Sequence, residues 1–298
     1  MPVMPRVKSN GIEIEYDTFG SKDAEPLLLI MGLGSQMILW REAFCEALAA
    51  RGHFVIRFDN RDIGKSTYLE DLGVPDIPTL IGKVFQGEEA RAPYALTDMA
   101  EDGFGLLSAL GIDSAHVCGV SMGGMVAQTM ALERPTRVRS LTSIMSTTGD
   151  RDLPPPQPEA LAALMQPPVA TVEGVVERAL SIFQAIGSPA YPMPVEEVAA
   201  RAREQFERGF NPAGMARQFA AILTQQGRRE ALASLRLPAL VIHGDADALV
   251  PIECGRATAS AIPGAATLWI EGMGHDLPEP LWPPIIDAIA GVTASARN

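Results

Sequence analysis

The stretch His116-Val117-Cys118-Gly119-Val120-Ser121-Met122-Gly123-Gly124-Met125-Val126-Ala127 decides the fold. Residues 116–120 read as a short strand covered on both faces, because a nearly continuous apolar run offers no side to water. Residues 122–133 read as a helix that follows directly. Between the two, Gly119-Val120-Ser121-Met122-Gly123 matches G-x-S-x-G, a sharp strand-to-helix turn that lifts a serine hydroxyl above a sheet. Such a turn crowds its own backbone, so residues without Cβ are needed two places before and two places after the serine. In a chain with 27 glycines the pentapeptide alone is only suggestive. The strand before it and the helix after it give it weight. A helix that starts at Met122 also points its free N–H groups and the positive end of its dipole toward any anion forming beside Ser121.

Working outward, short β-branched and Leu-rich runs alternate with longer helix-like stretches. Strands are expected at 12–16, 27–31, 54–58, 116–120, 140–144, 240–243 and 267–270, and helices at 40–50, 97–110, 123–133 and 284–290. This alternation predicts an α/β fold, a mostly parallel sheet of about eight strands with helices on both faces. From about 150 to 230 the strand signal stops and helix signals follow one another. The expected organisation is therefore a core from 1–149 and 231–298 with a helical cap, 150–230, inserted in it. Leu153-Pro154-Pro155-Pro156 punctuates the entry, Asn211-Pro212 reads as an N-cap with a first-turn proline, and Gly227 sits where a helix would stop. Val195, Val198, Ala199, Ala202 and Phe206 share one helical face that should be covered, leaving Arg201, Arg203 and Glu204 outward. A second irregular stretch, 69–93, carries Leu80, Ile81, Val84 and Phe85 among prolines, and reads equally as a short surface helix or as a pocket wall.

Of the 298 residues 47% are hydrophobic and 20% charged, enough apolar side chain to close a sizeable core. The net charge of -12 repels phosphate backbones, so nucleic acid is a poor partner. The first twenty residues alternate polar and apolar types without the long apolar run of a secretory signal, and no later run reaches the roughly 18 residues of a membrane span. A cytoplasmic chain without membrane insertion is expected; a homo-oligomer stays open. Cys45, Cys118 and Cys254 are odd in number, widely spaced and far from any histidine cluster, which predicts reduced, buried thiols and no metal site.

Serine is a weak nucleophile near neutrality, so Ser121 needs a base, and the chain offers four histidines. His53 and His116 open strands and His243 lies within one, where a satisfied core imidazole is the ordinary role. His275 instead follows the last strand on the Gly-rich loop Gly272-Met273-Gly274-His275. The base in turn needs a carboxylate, in chain order after the serine and before the histidine. Asp245 and Asp247, just beyond the 240–243 strand, both qualify. Two backbone donors must face developing negative charge: Met122 N–H supplies one, and Leu33 N–H, in Met31-Gly32-Leu33-Gly34, is the choice for the other.

Together these residues resemble the α/β-hydrolase superfamily over nearly the whole chain. Asp59-Asn60-Arg61-Asp62-Ile63-Gly64-Lys65-Ser66 is similar to the family's D-x-R-x-x-G-x-S turn, and Gly274-His275 to its terminal G-H. Gly244-Asp245-Ala246-Asp247 with Val250-Pro251 resembles its G-x-x-D-x-x-V-P acid loop, a spacing that favours Asp247 over Asp245. Asp150 is a distant third, at the place some relatives use. The chain is most similar to small bacterial esterases of the aclacinomycin methylesterase-like type. It departs from them in a longer 69–93 stretch, and from many relatives in carrying Met31-Gly32 where they have His-Gly. Ser121 separates it from the dehalogenases and epoxide hydrolases of the superfamily, which use Asp there.

The resemblance implies a serine esterase without metal or organic cofactor, acting on a small-molecule ester of small to medium, largely apolar character. Ser121 would be the nucleophile, His275 the base and Asp247 the acid, with Leu33 and Met122 as the oxyanion hole. Gly32, Met145 and Leu249 are the candidates to line the substrate pocket. Lactonases, perhydrolases and C–C bond hydrolases use the same triad, and some ligand-sensing receptors keep it in vestigial form.

Overall fold

A computed structural model describes residues 4–296. Eight strands form one sheet: β1 (Arg6–Ser9), β2 (Ile12–Phe19), β3 (Glu25–Ile30), β4 (His53–Phe58), β5 (Ala115–Val120), β6 (Val138–Ile144), β7 (Ala239–Gly244) and β8 (Ala266–Ile270). Their spatial order is β1-β2-β4-β3-β5-β6-β7-β8. The β1–β2 and β2–β4 pairs are antiparallel and all others parallel. The helices are α1 (Glu42–Ala50), α2 (Ile77–Gln86), α3 (Leu96–Ala109), α4 (Met122–Glu133), α5 (Pro158–Leu164), α6 (Val172–Ile186), α7 (Val195–Arg208), α8 (Pro212–Thr224), α9 (Arg229–Leu232), α10 (Ile252–Ala261) and α11 (Trp282–Ser295).

Strands β4, β5 and β7 are buried at every residue, because helices cover both sides of the sheet. The pleat then sends alternate residues to opposite layers. In β3, Leu28 and Ile30 join Met99, Phe104 and Met130 of α3 and α4, while Leu27 and Leu29 join Phe44, Leu48 and Ile285 of α1 and α11. Seven of the strands lie where the sequence places them. β1 has no apolar run to betray it: its four residues, RVKS, form the sheet edge by pairing with β2. Helix α11 is longer than the predicted 284–290, since Pro283 and Pro284 occupy first-turn positions where no N–H is needed. Among the described residues no helix is long and apolar enough to cross a membrane.

Between β6 and β7 the regular elements are all helices, from α5 to α9. Asn211 caps α8 by accepting from Gly214 N–H at 3.1 Å, with Pro212 in the first turn. On α7 the expected face is covered at Val198, Ala199 and Ala202, but Val195, in the first turn, is 60% exposed. Within the 69–93 stretch, Ile77–Gln86 form the surface helix α2: Leu80 is buried, whereas Phe85 points out and is 88% exposed.

Polar side chains fasten this helical excursion to the core. Arg217 of α8 donates from Nε and Nη2 to Asp62 at 2.8 and 2.6 Å, both side chains essentially without exposure. Arg208, at the end of α7, reaches Asp59 at 2.6 Å and Glu15 at 3.0 Å. The partners Asp59 and Asp62 belong to the D-x-R-x-x-G-x-S turn, which thus serves as the anchorage. At the base, Arg228 N–H donates to Thr148 O and Arg229 pairs with Asp152, clipping the outgoing chain to the incoming one.

Candidate active site

Ser121 lies between the end of β5 and the start of α4 with φ 54° and ψ -122°, a conformation that costs energy in any residue with a Cβ. Close approach enforces the flanking glycines. A Cβ on Gly119 would come within 2.0 Å of Gly123 O, and one on Gly123 within 2.2 Å of Ile30 O. The turn is held from three sides. Ser121 N–H donates to Ile144 O at 2.9 Å, and its carbonyl accepts from Gly124 N–H and from the Ser146 hydroxyl at 2.8 Å.

Three side chains from distant parts of the chain meet here. Ser121 Oγ is 2.9 Å from His275 Nε2, and His275 Nδ1 is 2.7 Å from Asp247 Oδ2. Asp247 is buried and receives Leu249 N–H at 2.9 Å and Val250 N–H at 2.8 Å on its other oxygen. Burial opposes its ionisation, but the positive charge of His275 and the hydrogen bonds of His243 and His275 outweigh it. The carboxyl is held well below its ordinary range. With Nδ1 facing a carboxylate, the imidazole donates there and leaves Nε2 to accept the serine proton.

Of the two acids the sequence leaves open, Asp245 is exposed and accepts from Gly272 N–H at 2.7 Å, bracing the loop before His275. Asp150 instead accepts from Arg229 N–H at 3.3 Å. His53 bonds Leu48 O and Thr293, and His116 bonds Ser140, as core imidazoles do. His243 is also buried, yet its Nε2, 2.7 Å from Val250 O, lies 3.5 Å from Asp247. It stands behind the acid, a neighbourhood that its place in an apolar strand does not reveal.

Gly32 sits directly beside Ser121, where an added Cβ would be 3.2 Å from the serine Cβ. Leu33 follows in a turn closed by Ser35 N–H donating to Gly32 O at 3.2 Å, with Gly34 at φ 67°. Met122 opens α4, so its N–H has no acceptor within the helix. Two side chains that sequence reasoning passed over hold this loop. Asn60 Nδ2 donates to Met31 O at 3.0 Å, and Gln218 Oε1 accepts from Gly34 N–H at 2.9 Å while its amide donates to Arg61 O. Gln218 is fully buried, and nothing local in the sequence marks it for this role. Of the pocket candidates, Leu249 is half-buried next to Asp247. Met145, with φ 41°, is 3% exposed and packs in the α1/α11 core layer, its N–H on Ile242 O. The three cysteines are buried and unbridged.

The chemistry this arrangement allows is proton removal from a serine hydroxyl by an imidazole that a buried carboxylate orients. Comparison with known proteins agrees on the class. The chain belongs to the alpha/beta hydrolase fold family, whose sequence model matches residues 25–279. It is an enzyme, a carboxylic ester hydrolase. Rhodomycin D methylesterase DauP of Streptomyces sp. (strain C5) is 31% identical over 316 aligned residues, covering 97% of this chain and 98% of the relative. Rhodomycin D methylesterase DnrP of Streptomyces peucetius is 28% identical with the same coverage. Among solved structures, a thermophilic esterase from Thermogutta terrifontis superposes with a TM-score of 0.73 at 24% identity, over 99% of this chain and 100% of that one.

Proposed function

We propose that the protein is a serine esterase that works through an acyl-enzyme on Ser121. The observation that carries this reading is the unbroken hydrogen-bond chain from Ser121 Oγ through His275 to Asp247. Ser121 Oγ attacks the ester carbonyl while His275 Nε2 takes its proton, and Asp247 stabilises the imidazolium that results. Met122 and Leu33 N–H groups hold the oxyanion. Collapse of the adduct expels the alcohol, which receives the proton from His275; water then repeats the cycle and frees the acid. The helices from α5 to α9 act as a cap over this site. Met215 of α8 lies 3.1 Å from where a Cβ on Gly34 would stand, so the cap presents thioether and apolar carbon to the oxyanion loop. That surface suits small to medium, largely apolar esters. Likeness to the two methylesterases makes methyl esters the first substrates to try, and the buried thiols suit a cytoplasmic enzyme.

The test is a series of nitrophenyl and methyl esters of increasing acyl length, assayed beside a lactone and with Ser121→Ala as control. Turnover should be highest on the apolar esters, and the variant should lose on the order of 10⁶ in kcat. Labelling of Ser121 by a fluorophosphonate should vanish in the same variant. Retention of most activity in Ser121→Ala would remove the serine from the mechanism.

A further inference from the structure

The loop that carries His275 is held on one side by the residues after β7 and on the other by the cap. The N–H groups of Gly274 and His275 donate to the last residue of α6 and the segment just after it. His275 N–H reaches Ile186 O at 2.7 Å, and Gly274 N–H reaches Ser188 Oγ at 2.9 Å. Ser188, 2% exposed, accepts from Gly274 and so has its single proton left to give, which it directs to Asp276 Oδ1. One further bond, Ala190 N–H to Gly272 O at 3.2 Å, completes the strap. The fit leaves no slack. A Cβ on Gly274 would lie 2.5 Å from the carbonyl oxygens of both Ile186 and Gly187.

We propose that Ser188 and Asp276 are positioning residues, through which the cap keeps His275 in register with Ser121. This rests on the reading of His275 as the base. Asp247 grips the imidazole at one nitrogen only, so the place of Nε2 depends on where the two peptides flanking His275 hold its Cα. Ile186 O grips the first of those peptides through His275 N–H, Ser188 grips the peptide just before it through Gly274 N–H, and Asp276, which follows the second, fixes Ser188. Burial pushes the Asp276 carboxyl up, against the hydrogen bonds of Ser188 and the charges of His275 and Arg201, and its Oδ2 has no hydrogen-bond partner among the described residues. Ser188 is thus the donor that this carboxyl depends on. A base displaced by an ångström loses about 10²-fold in rate with little change in ground-state binding.

Kinetics of Ser188→Ala, Asp276→Ala and Asp276→Asn on a nitrophenyl ester, beside wild type and Ser121→Ala, test the strap. Ser188→Ala and Asp276→Ala should each lower kcat by about 10- to 100-fold with KM held within about threefold. Asp276→Asn, which keeps an oxygen for Ser188 to bond, should recover most of that loss, and the double variant Ser188→Ala/Asp276→Ala should be no worse than either single one. Full kcat in Ser188→Ala, or a loss seen in KM alone, would overturn the proposal. Should Ser188→Ala not fold, Asp276→Ala against Asp276→Asn decides by the same criteria. Activity in wild type that survives Ser121→Ala would sink the esterase reading, and this proposal with it. An inert Ser121→Ala beside a fully active Ser188→Ala would sink this proposal alone.

Discussion

Asp245 and Asp247 stand two residues apart on one loop, and only their surroundings tell them apart. Asp247 is buried against His275 and His243, whereas Asp245 faces solvent and braces Gly272. An amide at 247 would present a donor or a neutral oxygen to His275 Nδ1, and the imidazole would settle in the wrong tautomer. Asp247→Asn should therefore lower kcat by about 10⁴. Asp245→Asn keeps an oxygen acceptor for Gly272 and should stay within about threefold of wild type. Steady-state kinetics of the two variants side by side would exchange their roles if the ranking came out reversed. From residue types and order alone both acids qualified, and only the family spacing separated them. Ser121 and His275 were legible because each sits in a short glycine-rich context. Asn60, Gln218, Ser188 and Asp276 were not, since a polar residue carries no local mark of the partner it will meet far along the chain.

At the scale of elements, the seven strands with apolar runs were legible for the same reason that they are buried: the periodicity in the sequence is the burial itself. β1 was not, because an edge strand of alternating charge resembles a loop. The docking of α7 and α8 on the core was equally hidden, since it is made by ion pairs between residues some 150 to 190 apart in sequence. Those pairs differ sharply from the exposed ones in what their loss should do. Arg217→Met leaves Asp62 charged and buried without a counterion, which costs about 3–5 kcal/mol. Arg229→Ala removes a bidentate pair with Asp152 in open solvent and should leave the unfolding midpoint where it was. Urea titrations of the two variants compare them directly. Equal midpoints would mean that α8 is not held by its arginine.

For the molecule as a whole, the core layer beneath α1 and α11 sets how it responds to alkali. Cys45 in the α1 layer and Cys118 in β5 are buried in apolar surroundings, and burial pushes both thiols up from 9.0, Cys45 to about 12 against the attraction of Arg57. In the folded protein these thiols keep their protons at pH 10 and 11, while in the unfolded chain they release them above pH 9. The unfolded state thus binds fewer protons across that window, and stability must fall as pH rises, by up to about 1.4 kcal/mol per pH unit for each thiol. Below pH 9 both states hold the proton and the effect disappears. Lysines and tyrosines titrate in the same range, so the comparison that isolates the thiols is between wild type and Cys45→Ala/Cys118→Ala. Deleting the sulfurs lowers stability by a pH-independent packing term. The urea midpoint of the variant should start lower at pH 8 and decline less steeply to pH 11, and parallel declines would show that the thiols ionise alike in both states.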